Sequence, residues 1–201
     1  GSATTDGGLA AVRALAPAAR LAGVELVAAV DVWCPFVAAA ERFGPQKGAT
    51  ANQVELLARR LERLVQVYRD EFDVDVSSLA GAGAAGGLAG GLAAVGATIT
   101  SGFELIADEL DLAGQVEAAD LVVTGEGFVD EGSFDGKVVG GMVELAAEFD
   151  VPVLVVAGEV FDGVDDRVAT VSLVERFGRE RAMSDTAACI AEAVAAHLAQ
   201  R

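Results

Sequence analysis

Lysine is nearly absent from this chain. Its 201 residues hold only Lys47 and Lys137, and the other twelve bases are arginines. Cysteine is as scarce: Cys34 and Cys189 stand far apart, offer no metal-ligand spacing, and read as two reduced thiols. The one histidine, His197, falls near the end of the last helical segment, where a solvated or capping role outweighs a catalytic one. No uninterrupted apolar run reaches the roughly 18 residues of a membrane-spanning helix. The first residues lack the charged, apolar and small-residue order of a secretory leader, so a cytoplasmic location is expected. A Walker phosphate loop is also missing. Gly136-Lys137 has neither the earlier glycine at the required spacing nor a following Ser or Thr.

What is present is apolar and acidic. A hydrophobic fraction of 53% and a mean hydropathy of +0.45 exclude disorder and supply a substantial core. The formal net charge is −17, spread along the chain. Such a surface repels nucleic-acid backbones and anionic lipid, so neither is an expected partner. Any anion site must be local, made of backbone N–H groups and a few placed cations. Both lysines adjoin glycine, in Gln46-Lys47-Gly48 and Gly136-Lys137. A compact ammonium suits a crowded phosphate pocket better than a planar guanidinium does.

The pattern of elements predicts an α/β protein with parallel sheets and flanking helices. Val24 to Val32 reads as a buried strand that includes Asp31. Ala51 to Phe72 has apolar residues at helical spacing, solvated arginines on its other faces, and Thr50 as its cap. Leu79 to Ala94 is nearly all Gly and Ala, but its interleaved leucines favour a tightly packed helix from about Gly83 over a linker. From residue 119 onward, strands at Asp120–Thr124, Pro152–Ala157 and Val168–Leu173 alternate with helices at Val138–Phe149 and Thr186–Ala199. Three strands leave an open sheet edge, which calls for a further segment or a partner, a homodimer being one way to cover it.

Glycine-rich polar clusters interrupt these elements at 1–8, 43–49, 81–87 and 124–130, the last continuing to Lys137. Such loops bare N–H groups and form anion-binding concavities. Asp6, Asp31, Glu126 and Asp130 beside them are candidates to hold Mg²⁺ together with phosphate oxygens, or to take a proton from an attacking hydroxyl. Gly81-x-Gly83-x-x-Gly86, with Glu104 downstream, formally matches a dinucleotide fingerprint. The preceding residues 73–80 do not read as a buried first strand, so the match lacks its context.

In this order the clusters resemble the bacterial glycerate kinase family, which is distinct from GHMP-type and P-loop kinases. Its G-S-A-T-N-D-G-G segment is met at Gly1 to Gly8 with Thr5 for Asn, and its D-V-x-N-P segment at Asp31 to Pro35 with Cys34 for Asn. F-G-P-Q-K-G-A and G-A-G-A-A-G-G stand unchanged at Phe43–Ala49 and Gly81–Gly87. T-G-E-G-R-x-D-x-Q-T-x-x-G-K appears at Thr124–Lys137, with Phe128, Gly132 and Ser133 replacing Arg, Gln and Thr.

The resemblance spans the chain but covers only the later part of the family pattern, which opens with an Asp-Ser-Phe-Lys-Gly segment. It implies two α/β lobes around a cleft, residues 1–118 lying in an inserted domain and 119–201 forming the C-terminal half of a Rossmann-like one. It implies a kinase that transfers phosphate from ATP with Mg²⁺ to glycerate, giving 2-phosphoglycerate, or to a related small hydroxy acid. Residues 1–201 alone would then lack activity. The catalytic set implied is Asp6, Asp31 and Asp130, with Asp31 and Glu126 on the metal. Ser2, Thr4, Gln46, Lys47, Gly81, Gly83, Gly86, Gly125, Glu126, Gly127 and Lys137 would contact substrate or phosphate. The departures at Cys34 and Phe128 keep a second expectation alive, a kinase-like binding or regulatory protein without turnover.

Overall fold

The computed structural model describes residues 2–134, 137–161, 163–164 and 168–200. The chain divides into two compact units, Gly1–Leu105 and Ile106–Arg201. Both are α/β, with helices packed on parallel strands.

In the first unit, α1 (Leu9–Leu15), β1 (Val27–Val30), α2 (Ala39–Phe43), α3 (Ala51–Phe72), α4 (Ala84–Ala94) and β2 (Thr98–Ser101) follow in order. The long α3 starts as its sequence predicts, with a reciprocal capping box. The Gln53 N–H donates to Thr50 Oγ1 at 3.4 Å, and the Thr50 N–H donates to Gln53 Oε1 at 2.8 Å. Leu61, Leu64, Val65 and Tyr68 form its buried stripe and pack with Phe36, Ala39, Ala40 and Val76. Tyr68 meets Phe36 and Phe72 edge-on at 6.2 and 6.0 Å between ring centres, a favourable aromatic geometry.

The strand predicted over residues 24–32 is shorter and half-exposed. β1 pairs in parallel with β2 from Val27↔Thr98 to Val30↔Ser101. Val27 is 43% exposed and Val30 5%, because only the face bearing Ala28 and Val30 is covered, by Ala84 and Ala89 of α4. β2 escaped the sequence reading because it has no apolar run; its β-branched Thr98, Ile99 and Thr100 were the available signal.

The Gly/Ala stretch is a packed element, as expected, but not one continuous helix. Ala85, Gly86 and Gly87 are left-handed, with φ of 53°, 70° and 90°. Beyond this kink, a Cβ on Gly90 would stand 2.5 Å from the Phe36 ring, and one on Gly91 2.6 Å from the Gly7 carbonyl oxygen. Glycine here permits close packing that any side chain would block.

α5 (Gly102–Glu109) runs across the boundary between the units. The second unit then comprises α6 (Leu112–Glu117), β3 (Val122–Thr124), β4 (Phe128–Val129), α7 (Val138–Glu148), β5 (Val153–Ala157), β6 (Glu159–Val160), β7 (Ala169–Ser172), α8 (Leu173–Phe177), α9 (Arg179–Ser184) and α10 (Thr186–Leu198). The main sheet is parallel in the order β3-β5-β7, and the short β4 and β6 pair beside it. Central β5 explains its own unbroken apolar sequence. Leu154 and Val156 pack with Leu173, Ala182, Cys189 and Ala193 on one face. Val155 and Ala157 pack with Val129, Val139 and Val164 on the other. Cys34 and Cys189 are both free and buried. Among the described residues, no helix is long and apolar enough to cross a membrane.

Candidate functional site

The first unit draws its separate glycine-rich segments together at one place. The loop of residues 2–8 is the hub. The Gly7 N–H donates to the Gly86 carbonyl at 3.0 Å, and a Cβ on Gly86 would lie 2.1 Å from the Thr4 carbonyl oxygen. The Gly83 N–H donates to the Cys34 carbonyl at 2.8 Å, and a Cβ there would lie 2.3 Å from the Pro35 oxygen. Gly81 packs against Val30, Trp33 and Ile99. The 81–87 segment therefore welds the loop after β1 to the N-terminal loop, backbone against backbone. The dinucleotide reading of this segment lacks its strand, since residues 73–80 form none.

Lys47 adds the third segment. It sits in a short 3-10 turn, Pro45–Lys47, closed by Gly48 at φ 88°. Its ammonium donates to Ser2 Oγ at 2.8 Å, the Thr4 carbonyl at 2.6 Å and Thr5 Oγ1 at 3.5 Å. All three donors of the side chain are thus committed within the chain. Partial burial pushes its pKa below the ordinary lysine value. Gln46 beside it is exposed.

The carboxylates differ in what already occupies them. Exposed Asp6 accepts from the Gly8 N–H (3.2 Å, Oδ1) and the Ala10 N–H (3.3 Å, Oδ2), holding the start of α1. Lone pairs remain for a ligand hydroxyl. Asp31 directly follows β1; it is exposed, and none of the described residues pairs with it. Cys34, where the resemblance has Asn, is fully buried and donates weakly to the Pro35 carbonyl at 3.4 Å. Burial raises its thiol pKa. Its side chain belongs to the packing beneath the loop.

A cavity of about 380 Å³ opens beside the hub and is lined by Thr5, Lys47, Gln53 and Arg60 among others. Arg60 also borders a second, more apolar cavity of about 590 Å³ that includes Thr5 and Asp6. Sequence reasoning passed over Arg60 as one of several solvated arginines on α3. The usable signal was its register: Gln53, Leu57 and Arg60 share the helix face that meets the Lys47 turn.

Tyr68 supports the hub from below. Its buried hydroxyl donates to the Gly7 carbonyl at 2.8 Å. Desolvation, with the charge of Asp6 adding to it, raises its pKa far above the free value. Such a group stabilises the fold fully below its unfolded pKa of about 10. That contribution is lost as pH climbs from there towards the folded value. Tyr68 is the sole tyrosine. In an alkaline titration, tyrosinate absorbance should therefore rise only together with the loss of circular dichroism. A separate tyrosinate step near pH ~10 in folded protein would contradict the buried hydrogen bond.

In the second unit, the Thr124–Gly127 loop leaves β3 at its carboxyl end. The Gly158 N–H donates to the Glu126 carbonyl and the Glu159 N–H to the Gly127 carbonyl, each at 3.2 Å. A Cβ on Gly125 would stand 1.9 Å from the Val156 oxygen, so the loop presses directly on β5. Asp130 Oδ1 accepts from the Ser133 N–H at 3.1 Å and so closes the turn of residues 131–134. Lys137 is exposed at the N-cap of α7, while Gly136 beside it, like Gly1, lies outside the described residues. Phe128, at the family's arginine position, is 56% exposed and stacks edge-on against Phe161 at 6.1 Å.

Parallel strands with glycine loops at their carboxyl ends and helices packed on them place the chain among open α/β proteins. Within that class, the chain belongs to the glycerate kinase family, whose sequence model matches residues 16–200. It is 41% identical to an uncharacterized protein of Mycobacterium bovis over 167 residues, 80% of this chain and 44% of that protein. It is 38% identical to the glycerate 2-kinase of Escherichia coli K12 over 149 residues, 72% of this chain and 39% of the relative. A Salmonella typhimurium LT2 crystal structure with the provisional name glycerate kinase 2 matches with a TM-score of 0.65 and 29% identity. That match covers 98% of this chain and 63% of the other. The chain thus spans less than half the length of the two curated relatives.

Proposed function

We propose that this chain forms part of an ATP-dependent kinase that phosphorylates glycerate, at its 2-hydroxyl, or a closely related small hydroxy acid. The observation that supports this best is the convergence on one loop of segments far apart in sequence, Thr4 meeting Gly86 and Lys47, with Arg60 and Asp6 at the same hub. The cavity lined by Lys47, Gln53 and Arg60 suits the carboxylate of a small acid, which a fork-shaped guanidinium binds well. Asp6 then takes the hydroxyl proton as that oxygen attacks the γ-phosphorus and ADP departs.

Asp31 fits Mg²⁺: it is an exposed, unshared carboxylate at a strand end, and Mg²⁺ typically uses one or two carboxylates together with phosphate oxygens. The metal would neutralise charge on the transferred phosphate. Within the second unit, Asp130 shapes its own turn and Lys137 offers an exposed ammonium at the N-cap of α7. With a net charge of −17, nucleic acid and membranes are not partners, and the cytoplasm is the fitting compartment.

Asp6→Asn tests the assignment, because the amide oxygen preserves an acceptor for the start of α1. Turnover should fall about 10²–10⁴-fold with little change in melting temperature or nucleotide affinity. Equal loss of binding and turnover would reduce Asp6 to a ligand contact. The exposed Phe128 at the arginine position favours a second reading, a binding protein without turnover. Mg-ATP and glycerate raising the melting temperature with no ADP released would establish that reading instead.

A further inference from the structure

A third cavity, of about 470 Å³, lies wholly within the second unit, where β3 and β5 reach their carboxyl ends. Its size is that of a small-molecule site. Val123, Val174, Met183 and Ile190 give it apolar walls, and three of these are more exposed than large apolar side chains usually are, Met183 at 72%. Among the described residues, its only charged lining residue is Glu126. Glu126 Oε1 is shielded from solvent, and no described residue donates a hydrogen bond to it. A carboxylate oxygen desolvated and left alone is destabilising, and a ligand that brings a donor would satisfy it.

The chemistry narrows that ligand. A phosphate or acid would face a wall whose sole charge among the described residues is negative. A metal ion held here without phosphate would need further oxygen ligands, and among the described residues no second carboxylate lines the cavity. A flat apolar body with N–H or O–H groups at its edge satisfies both the walls and Glu126. The loop that carries Glu126 is pinned to β5 and β6 by the backbone hydrogen bonds of Gly158 and Glu159, so the acceptor is held in place before the ligand arrives. We infer that this cavity binds the nucleoside of the phosphoryl donor, with Glu126 accepting from a ribose hydroxyl or a base amine. The inference rests on the kinase reading for the identity of that donor, and it assigns Glu126 to the nucleoside and not to the metal.

The test is calorimetric titration of the whole chain with adenosine and with ADP in metal-free buffer. Adenosine should bind and compete with ADP. Glu126→Gln should weaken both about tenfold, the worth of one hydrogen bond to a charged acceptor. Ile190→Ala, on the partly exposed wall, should weaken both several-fold and serves if the first variant folds poorly. Inosine and 2′,3′-dideoxyadenosine then locate the contact, since whichever analogue lacks the donor is insensitive to Glu126→Gln. Adenosine that fails to bind, or that binds both variants as tightly as the parent chain, overturns the inference. Transfer of phosphate from ATP to glycerate is scored separately. Transfer with unaltered adenosine binding in the variants defeats this inference alone. Adenosine binding lost in the variants, with no transfer even by a protein extended to the length of the curated relatives, defeats the kinase reading alone.

Discussion

Gly86→Ala is expected to destabilise the fold by about 3–5 kcal/mol and to abolish whatever the N-terminal hub does. Two separate penalties meet at this position. The backbone is left-handed at φ 70°, and the new Cβ would sit 2.1 Å from the Thr4 carbonyl oxygen. A left-handed residue with a side chain costs about 1–2 kcal/mol by itself. The remainder comes from the clash, since the colliding atom is backbone and cannot rotate away. Gly23→Ala separates the two. Gly23 has φ 81° but nothing within 4 Å of its would-be Cβ, so only the conformational penalty applies. Urea unfolding at unchanged m-value should show the Gly86 variant losing at least twice what the Gly23 variant loses. Equal losses would mean that the packing of Gly86 on the loop contributes nothing.

Lys47→Ala should lower turnover by about 10²-fold while leaving nucleotide affinity nearly intact, as a misplacement of about 1 Å does elsewhere. The reasoning follows from where the three donors go. Ser2, Thr4 and Thr5 are held by one ammonium, and without it the 2–5 loop loses its tie to the Lys47 turn. Lys47→Arg should not rescue, because a planar fork cannot meet three acceptors that converge on a point. Hydrogen exchange at residues 2–5 should quicken in both variants. Unchanged kinetics in Lys47→Ala would make the lysine an ordinary surface base.

Much of the architecture could be read from residue pattern alone, and the failures are instructive. Buried β5 announces itself because both faces are covered and every position is apolar. β1 misled because its run extends beyond its pairing, so length was overestimated where only one face is packed. The site divides in the same way. Glycines and carboxylates near Lys47 are recognisable as a set, but their partners are not. Nothing local to Lys47 shows that its charge is spent on Ser2 and two threonines from the other end of the unit. Arg60 stayed hidden for the opposite reason, since a helix face rich in arginine gives no sign of which one borders a cavity.

The joint between the 2–8 loop, the loop after β1 and the 81–87 kink is built from main-chain atoms and glycine. A scaffold of that kind separates what must be kept from what can be varied. Libraries randomised at Gln53, Leu57 and Arg60 would change the chemistry of the cavity walls without touching the joint. Selection for new acceptor acids should therefore recover functional clones at those positions, and recover glycine almost without exception at 83 and 86.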